Sequence, residues 1–497
     1  MLFKTGDRKS ALWKIPFKNR MHSSKLLSIF RTFSKKELRR CGEFVQSPYF
    51  NKNENVIALF NLIGPYAPEF SDKILLKENV FKKLFPAEDF SEQKVRDVMS
   101  ALTEVVEEFI TVSKVESEPV QQKIELADFY LKSGLEKYAE ILTREIDKDL
   151  LKESDEDAQF FLKEFRLEEL KTELVDSHRS VKNYLPALEA LDNYYLLKKL
   201  HMSASLLNDT NTFSDGKIEI PLLKELLENI EKNEQNFSAT IRAYYHAICV
   251  LKDKADNNIF KKHFPLLKEI LLKETDEIPD SLETSLFTLA INFCIIQTEK
   301  GESAYYKEAF ELGRKSIEIS TRKDEFTLLP TVYESTAALG ILAKEFDWAE
   351  DFAEGFKKHV SGEHRENSYH YTMARVKLYR KDFRGVLKHL LNVETDNYDY
   401  YLSTRQMLIR AYYELGETES IYFVLEAVKK YLQRKTDIPK AIFDDYRNVF
   451  RLMGALTRLH ENPEKAKRNI DKLREDIAEN STGGIADWLQ EKVNNLR

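Results

Sequence analysis

Arg375 and Arg410 stand 35 residues apart, and each is flanked at helical spacing by aromatic and polar side chains. Tyr371 and Tyr379 lie one turn to either side of Arg375; Gln406, Tyr413 and Glu414 surround Arg410 at i−4, i+3 and i+4. Side chains three or four apart share a helix face, so each arginine heads a small polar and aromatic patch. Arg and Tyr combine large contact area with a polar tip, and a guanidinium matches a carboxylate in two parallel hydrogen bonds. The chemistry offered is recognition of a segment with acidic side chains or a terminal carboxylate. The competing arrangement has the tyrosines packed between helices and the arginines paired with nearby carboxylates.

No residue set points to catalysis. The chain has no GxGxxG, phosphate loop, GxSxG elbow or HExxH. His359, His364 and His370 are spaced by 5 and 6, which does not bring three rings to one helical face, and Gly362 interrupts them. Solvated histidines around a turn are expected, with neither metal nor cofactor. Glu107 and Glu108 are adjacent, so on a helix they point about 100° apart. Cys41, Cys249 and Cys294 form no ligand or disulfide spacing, which suits a reducing, cytoplasmic setting.

The elements that would position the arginines announce themselves as a recurrence. Trp348, Phe383 and Thr418 are 35 residues apart twice over. Each follows an acidic turn: Lys344-Glu345-Phe346-Asp347, then Tyr379-Arg380-Lys381-Asp382, then Glu414-Leu415-Gly416-Glu417. A period of this length marks helical hairpins that bury their apolar faces only by stacking. Trp348 and Phe383 are expected to begin second helices and to wedge between neighbouring hairpins, with Asp347 and Asp382 as caps. Arg375 and Arg410 then fall on successive first helices, where residues one repeat apart line a groove. The candidate peptide-binding residues are Tyr371, Arg375, Tyr379, Gln406, Arg410 and Tyr413.

Composition agrees with long helices. Only 15 Gly and 13 Pro occur in 497 residues, about half the usual share, and no sustained period-2 alternation marks a half-buried strand. Upstream, Ser34 and Glu37 have capping-box spacing, Pro48 breaks the helix before it, and Ser91 caps a helix whose apolar face runs from Val95 through Ile110. Helical patterns follow over Leu126–Leu151, Ala158–Asp176, Ser180–Leu207, Pro221–Glu234, Ser238–Lys252 and Phe260–Lys273, with a long loop expected from Asn208 to Pro221. Pro186 and Pro265 suggest later starts for two of these helices.

Residues 1 to 60 carry 13 Lys+Arg against 4 Asp+Glu, whereas the whole chain has a net charge of −7. A basic tail over residues 1 to 20 is expected, with Met21 a candidate start and a mitochondrial-type presequence the alternative. No run approaches 18 apolar residues, so no membrane insertion is expected.

From about Thr327 to 435 the pattern resembles tetratricopeptide repeats, with small residues Ala337-Ala338 and Ala411 where paired helices approach and weaker echoes at Tyr305–Ala309 and Gly134–Tyr138. Asp351, Val386 and Ile421 stand where that family customarily has a small residue, and its carboxylate clamp of Lys and Asn is not reproduced. The stretch from Phe33 to Asn51 is similar to the opening of an uncharacterised helical-repeat family of Bacteroidota. The resemblance implies an all-α fold, a right-handed α-solenoid of stacked hairpins behind an N-terminal helical module. The expected divisions are a tail (1–20), the module (21–115), divergent repeats (116–326), tetratricopeptide-like repeats (327–435) and capping helices (436–497).

The expected function is that of a non-catalytic cytoplasmic scaffold or adaptor that holds a protein or peptide segment in its concave groove. The alternatives are a regulator or ribosome- or nucleic-acid-associated factor acting through the basic N-terminal module, and an enzyme with a site scattered over several helices.

Overall fold

The computed structural model describes residues 24–68, 70, 76–153, 155–175, 183–213, 218–252, 257–322, 326–362, 364–394, 397–435, 438–480 and 483–496. The basic segment 1 to 20 and Met21 lie outside them. Among the described residues the fold is all-α, with 23 α-helices and no strand; one isolated bridge joins Leu328 to Val360. No helix among them is long and apolar enough to cross a membrane. The chain divides into two compact units, Met1–Ser154 with Phe160–Leu191, and Asp155–Gln159 with Asp192–Arg497.

The first unit begins with α1 (Lys25–Thr32), α2 (Lys35–Gln46), α3 (Glu54–Ile63), α4 (Lys77–Leu84) and α5 (Glu92–Glu116). Ser34 Oγ accepts from Glu37 N at 3.2 Å while Glu37 Oε2 accepts from Ser34 N at 2.7 Å, so the expected capping box forms. Ser47 is extended ahead of Pro48, and Asn51 secures the break by donating Nδ2 to Val45 O at 2.8 Å. Ser91 caps α5, whose Val95, Val98, Leu102, Val106 and Phe109 form the floor on which Leu27, Phe30, Val45, Leu59 and Phe81 pack. Phe90 turns its ring edge-on to Phe81.

Only Ser117-Glu118 separates α5 from α6 (Pro119–Lys132). The single helix expected over Leu126–Leu151 is broken after Lys132, and α7 (Glu136–Leu150) doubles back on α6. Ile124, Ile146, Leu150 and Leu167, the last from α8 (Ala158–Leu174), make a second core there. Helix α9 (Leu185–Phe213) starts with Pro186 in its first turn, and it runs six residues past Leu207 into the stretch expected to be a loop. Asn211 Nδ2 donates to Leu251 O at 2.8 Å and Thr210 Oγ1 to Leu206 O at 2.7 Å. These bonds hold a polar, weakly helix-forming segment in the helix.

The second unit continues with α10 (Leu223–Lys232), α11 (Ala239–Lys252), α12 (Asn257–Lys273), α13 (Asp280–Glu299), α14 (Tyr305–Ser320), α15 (Pro330–Leu342), α16 (Phe346–Phe356), α17 (Arg365–Tyr379), α18 (Phe383–Leu390), α19 (Tyr398–Leu415), α20 (Thr418–Arg434), α21 (Lys440–Glu461), α22 (Pro463–Asn480) and α23 (Gly483–Asn494). Pro265 lies inside α12 and does not delay its start. From α11 onward each odd-numbered helix through α21 packs on the even one after it, and α15, α17, α19, α21 and α23 touch in succession.

Five of the tight reversals share one backbone device. A residue in the left-handed region follows the first helix: Gly134, Gly301, Lys344, Lys381 and Gly416, with φ between 62° and 94°. The next N–H then reaches back five residues to a helical carbonyl, at 2.8 to 3.1 Å in every case, as in Asp382 N to Lys377 O and Glu417 N to Tyr412 O. This is the Schellman arrangement, which satisfies carbonyls that a helix end leaves open.

These residues correct the sequence register. Lys344, Lys381 and Gly416 are spaced 37 and 35 apart, so the counterpart of Phe383 is Phe346, and Trp348 sits two residues farther along. Asp382 does cap its helix, its Oδ1 accepting from Gly385 N at 2.9 Å. Asp347 is instead the second residue of α16 and pairs with Arg380. Trp348 nonetheless wedges between helices: its indole stacks on Phe352, meets Phe310 of α14 edge-on at 4.8 Å, and lies where a Cβ on Gly340 would come within 2.9 Å. Phe383 is half-buried against the cluster containing Val386, Leu390 and Met407.

Candidate functional site

Helix α17 carries Tyr371, Arg375 and Tyr379, and α19 carries Gln406, Arg410 and Tyr413. The two helices pack together, and Arg375 and Arg410 each lie six residues before a left-handed turn residue. They are therefore equivalent positions, as the 35-residue spacing predicts. Their surroundings differ.

Arg375 is half-buried with its guanidinium 5.9 Å from the centre of the Tyr371 ring. Among the described residues it has no ion pair or hydrogen bond. The other cations near the end of α17 are engaged: Lys377 meets Glu350 at 2.5 Å, and Arg380 meets Glu350 at 2.9 Å. Tyr371 stands edge-on to Tyr400 at 5.0 Å, and the Tyr400 hydroxyl donates to Glu334 of α15. Burial, then the neighbouring Glu334 carboxylate, raises the Tyr400 phenol above its ordinary pKa. Glu334, Tyr400, Tyr371 and Arg375 thus link three first helices. Gln406 is half-buried and makes no hydrogen bond among the described residues.

Arg410 lies between two rings, 5.5 Å from Tyr379 and 5.4 Å from Trp488 of α23. Its Nε is buried without a partner, and burial lowers the pKa of the guanidinium. Trp488 Nε1 donates to Glu414 Oε1 at 2.8 Å, and Lys492 Nζ meets the same oxygen at 2.7 Å. Tyr413 is edge-on to Trp488 at 5.4 Å, and burial pushes its phenol up to about 12. Gly484 brings the start of α23 so close to Tyr379 that a Cβ there would lie 2.8 Å from the hydroxyl. A cavity of about 240 Å³ remains beside Arg410, Lys381 and Lys492. Tyr379, Arg410 and Tyr413 accordingly belong to the contact with α23. Tyr371 and Arg375 meet their ring partners on α17 and α19 instead, and neither they nor Gln406 line that cavity.

The histidine run does not gather. His359 Nδ1 lies 3.3 Å from Phe326 O, while His370 Nδ1 meets His389 Nδ1 of α18 at 3.0 Å. A second such pair, which the sequence reading missed, joins His246 Nδ1 of α11 to His263 Nδ1 of α12 at 2.9 Å, with His246 Nε2 3.0 Å from Glu234 Oε1. Because a carboxylate only accepts, neutral His246 carries its proton on Nε2 and His263 donates from Nδ1. Burial is the main cause that lowers both pKa values, that of His263 to about 4. Separations of 17 and 19 residues across a hairpin are the only trace of these pairs in the sequence. Among the described residues no three His, Cys, Asp or Glu side chains gather to hold a metal ion.

The sequence matches no family model, and no curated protein or solved structure is detectably similar to it.

Proposed function

We propose that the chain is a non-catalytic cytoplasmic scaffold, a right-handed solenoid of tetratricopeptide-like hairpins, which binds a protein segment on its first-helix face at Tyr371, Arg375 and Gln406. The recurrence of one Schellman turn and the successive contacts of α15, α17, α19, α21 and α23 support the stacked arrangement. Helices α21, α22 and α23 serve as its C-terminal cap. The observation that carries the binding reading is Arg375, a half-buried guanidinium with an aromatic neighbour and no counter-ion among the described residues. A cation partly withdrawn from water is stabilised when a carboxylate arrives, so the segment bears Asp, Glu or a free C-terminus.

Panning a displayed peptide library over the immobilised full chain tests this, with Arg375→Ala panned in parallel. Acidic or carboxylate-terminated peptides should be enriched on the parent chain and lost on the variant. Equal enrichment on both would remove Arg375 from any binding role and the reading with it.

A further inference from the structure

A different surface of the second unit has the chemistry of a docking groove. Phe443, Arg447, Phe450, Gly454 and Arg458 follow one another along α21 at steps of three or four, and Arg451 lies one turn beyond Arg447, which places them on one helix face. Facing them on α20 are Leu425, Val428, Lys429 and Leu432, and between the two helices lies an open cavity of about 470 Å³. Its floor is apolar: Val428, Leu432 and Phe450 are buried, and Leu425 and Phe443 are half-buried. Gly454 is buried where Leu425 packs close on α21, since a Cβ there would lie 3.2 Å from Leu425 Cδ1 and 3.4 Å from Arg458 Nη1.

The rim is basic in a chain whose net charge is −7. Lys429, Arg447, Arg451 and Arg458 stand around the cavity, and Glu426, the one carboxylate lining it, pairs with Lys429 at 3.8 Å. Arg447 pairs with Asp444 at 3.0 Å and Arg451 with Asp476 at 3.1 Å, the arginines exposed and the carboxylates half-buried, and pairs open to water on one side contribute little and are exchanged for others. Arg458 has no ion pair among the described residues and also lines a neighbouring cavity between α21 and α22. From Phe443 to Arg458 the groove runs about 22 Å, four turns of helix.

We infer that the α20/α21 groove docks an acidic amphipathic helix of a partner protein, its apolar face on Leu425 and Phe443 above the buried floor and its carboxylates on Arg447, Arg451 and Arg458. A trough between two helices accepts a third by ridge-and-groove packing, whereas a flat bilayer would reach the rim and miss the floor. The inference is independent of the proposed role of Arg375, which lies on α17.

The probe is a fluorescein-labelled amphipathic peptide of about 18 residues, with Leu on one face and Glu on the other, titrated with the full chain. Its mate carries Lys in place of every Glu. The acidic peptide should bind at least about tenfold more tightly, which is about 1.4 kcal/mol, and the advantage should shrink as salt is raised. Arg447→Glu/Arg451→Glu/Arg458→Glu should abolish the preference. Gly454→Leu, which fills the trough and leaves the charges, should weaken binding of the same peptide, with melting curves confirming that both variants fold. The titrations are repeated in an Arg375→Ala background, which removes the other proposed site for acidic segments; the preference for the acidic peptide, and its loss in both groove variants, should be seen there too. Equal affinity for the two peptides, or binding that survives both groove variants, would overturn the inference. So would anionic vesicles captured in preference to the peptide, or self-association of the chain that the charge reversal removes.

Discussion

Two neighbouring hairpins, α17/α18 and α19/α20, reverse through the same turn and present an arginine at the same place, yet Arg375 has no charge partner among the described residues while Arg410 lies beneath Trp488. The left-handed turn residue and the helical period are local, so they recur wherever the short-range sequence recurs. What covers a given face is decided from far along the chain, here by Trp488 of α23 reaching back 74 residues to Glu414 of α19. Equivalent positions in successive hairpins are therefore not equivalent sites. The open one is the better candidate for a ligand, and the covered one for holding the end of the array together.

The largest way to erase this difference is Trp488→Ala. Trp488 is 7% exposed and touches Arg410, Tyr413 and Glu414, and truncating a buried aromatic of this kind costs about 3 to 5 kcal/mol. Chemical denaturation should show a loss of that size. Hydrogen exchange should rise in α23 and along the Arg410 face of α19 before it rises in α17. A loss under about 1 kcal/mol, the size of an ordinary substitution, would mean that Trp488 covers the site without holding it, and the contrast with Arg375 would need another cause.

The turns allow a finer comparison, because one uses Gly and the other Lys for the same conformation. Gly416 has φ 75° and open space, with nothing within 4 Å of where a Cβ would lie. Gly416→Ala therefore tests conformation alone and should destabilise by about 1 kcal/mol. Lys381 has φ 62°, a conformation that costs a residue with a Cβ roughly 1 to 2 kcal/mol. Lys381→Gly should accordingly stabilise, by somewhat less than that range because Gly is freer in the unfolded chain. Thermal melts of the two variants read both effects, and effects of the same sign at both turns would show that the two are not one device.

The helical class was legible because low Gly and Pro content and a sustained 3.6-residue period leave little else for this chain to form. The capping box at Ser34 and the cap at Asp382 were legible for the same reason, since each is complete within four residues. The turn register was not. Lys is not a turn-forming residue, so Lys344 and Lys381 gave no signal in left-handed positions, and the aromatic Trp348 drew the alignment two residues away from Phe346. The extension of α9 through Asn208–Phe213 was hidden because Asn211 finds its support on Leu251, 40 residues on. At the candidate site the spacing of Arg375 and Arg410 was readable, while the fate of Tyr379, Arg410 and Tyr413 depended on Trp488. The basic trough between α20 and α21 was missed, although Phe443, Arg447, Phe450, Gly454 and Arg458 stand in sequence at helical steps that would have revealed one face.

The smallest expected effect separates the two hairpins by pH. His370 and His389 bridge α17 and α18 through their Nδ1 atoms at 3.0 Å. No histidine lies within α19 or α20. Burial is the main cause that lowers the pKa of both imidazoles. The charge of Lys357 adds to it at His370, where Glu366 acts the other way; His370, Lys377 and Lys388 add to it at His389, where Asp382 opposes them. The sign follows from linkage. A free imidazole takes up its proton near pH 6.5, the folded pair does so lower, and so the unfolded chain binds more protons in between. The stability these groups confer is complete above about pH 6.5 to 7 and is lost progressively as the pH falls toward their folded values. Carboxylates ordinarily titrate near pH 4, so the interval from about pH 7 to 5 isolates the imidazoles. Hydrogen exchange corrected for intrinsic rates should show α17 and α18 losing protection over that interval more than α19 and α20, and His389→Gln should flatten the difference. Equal loss in the two hairpins, or a difference that persists in the variant, would place the pH response outside this histidine pair.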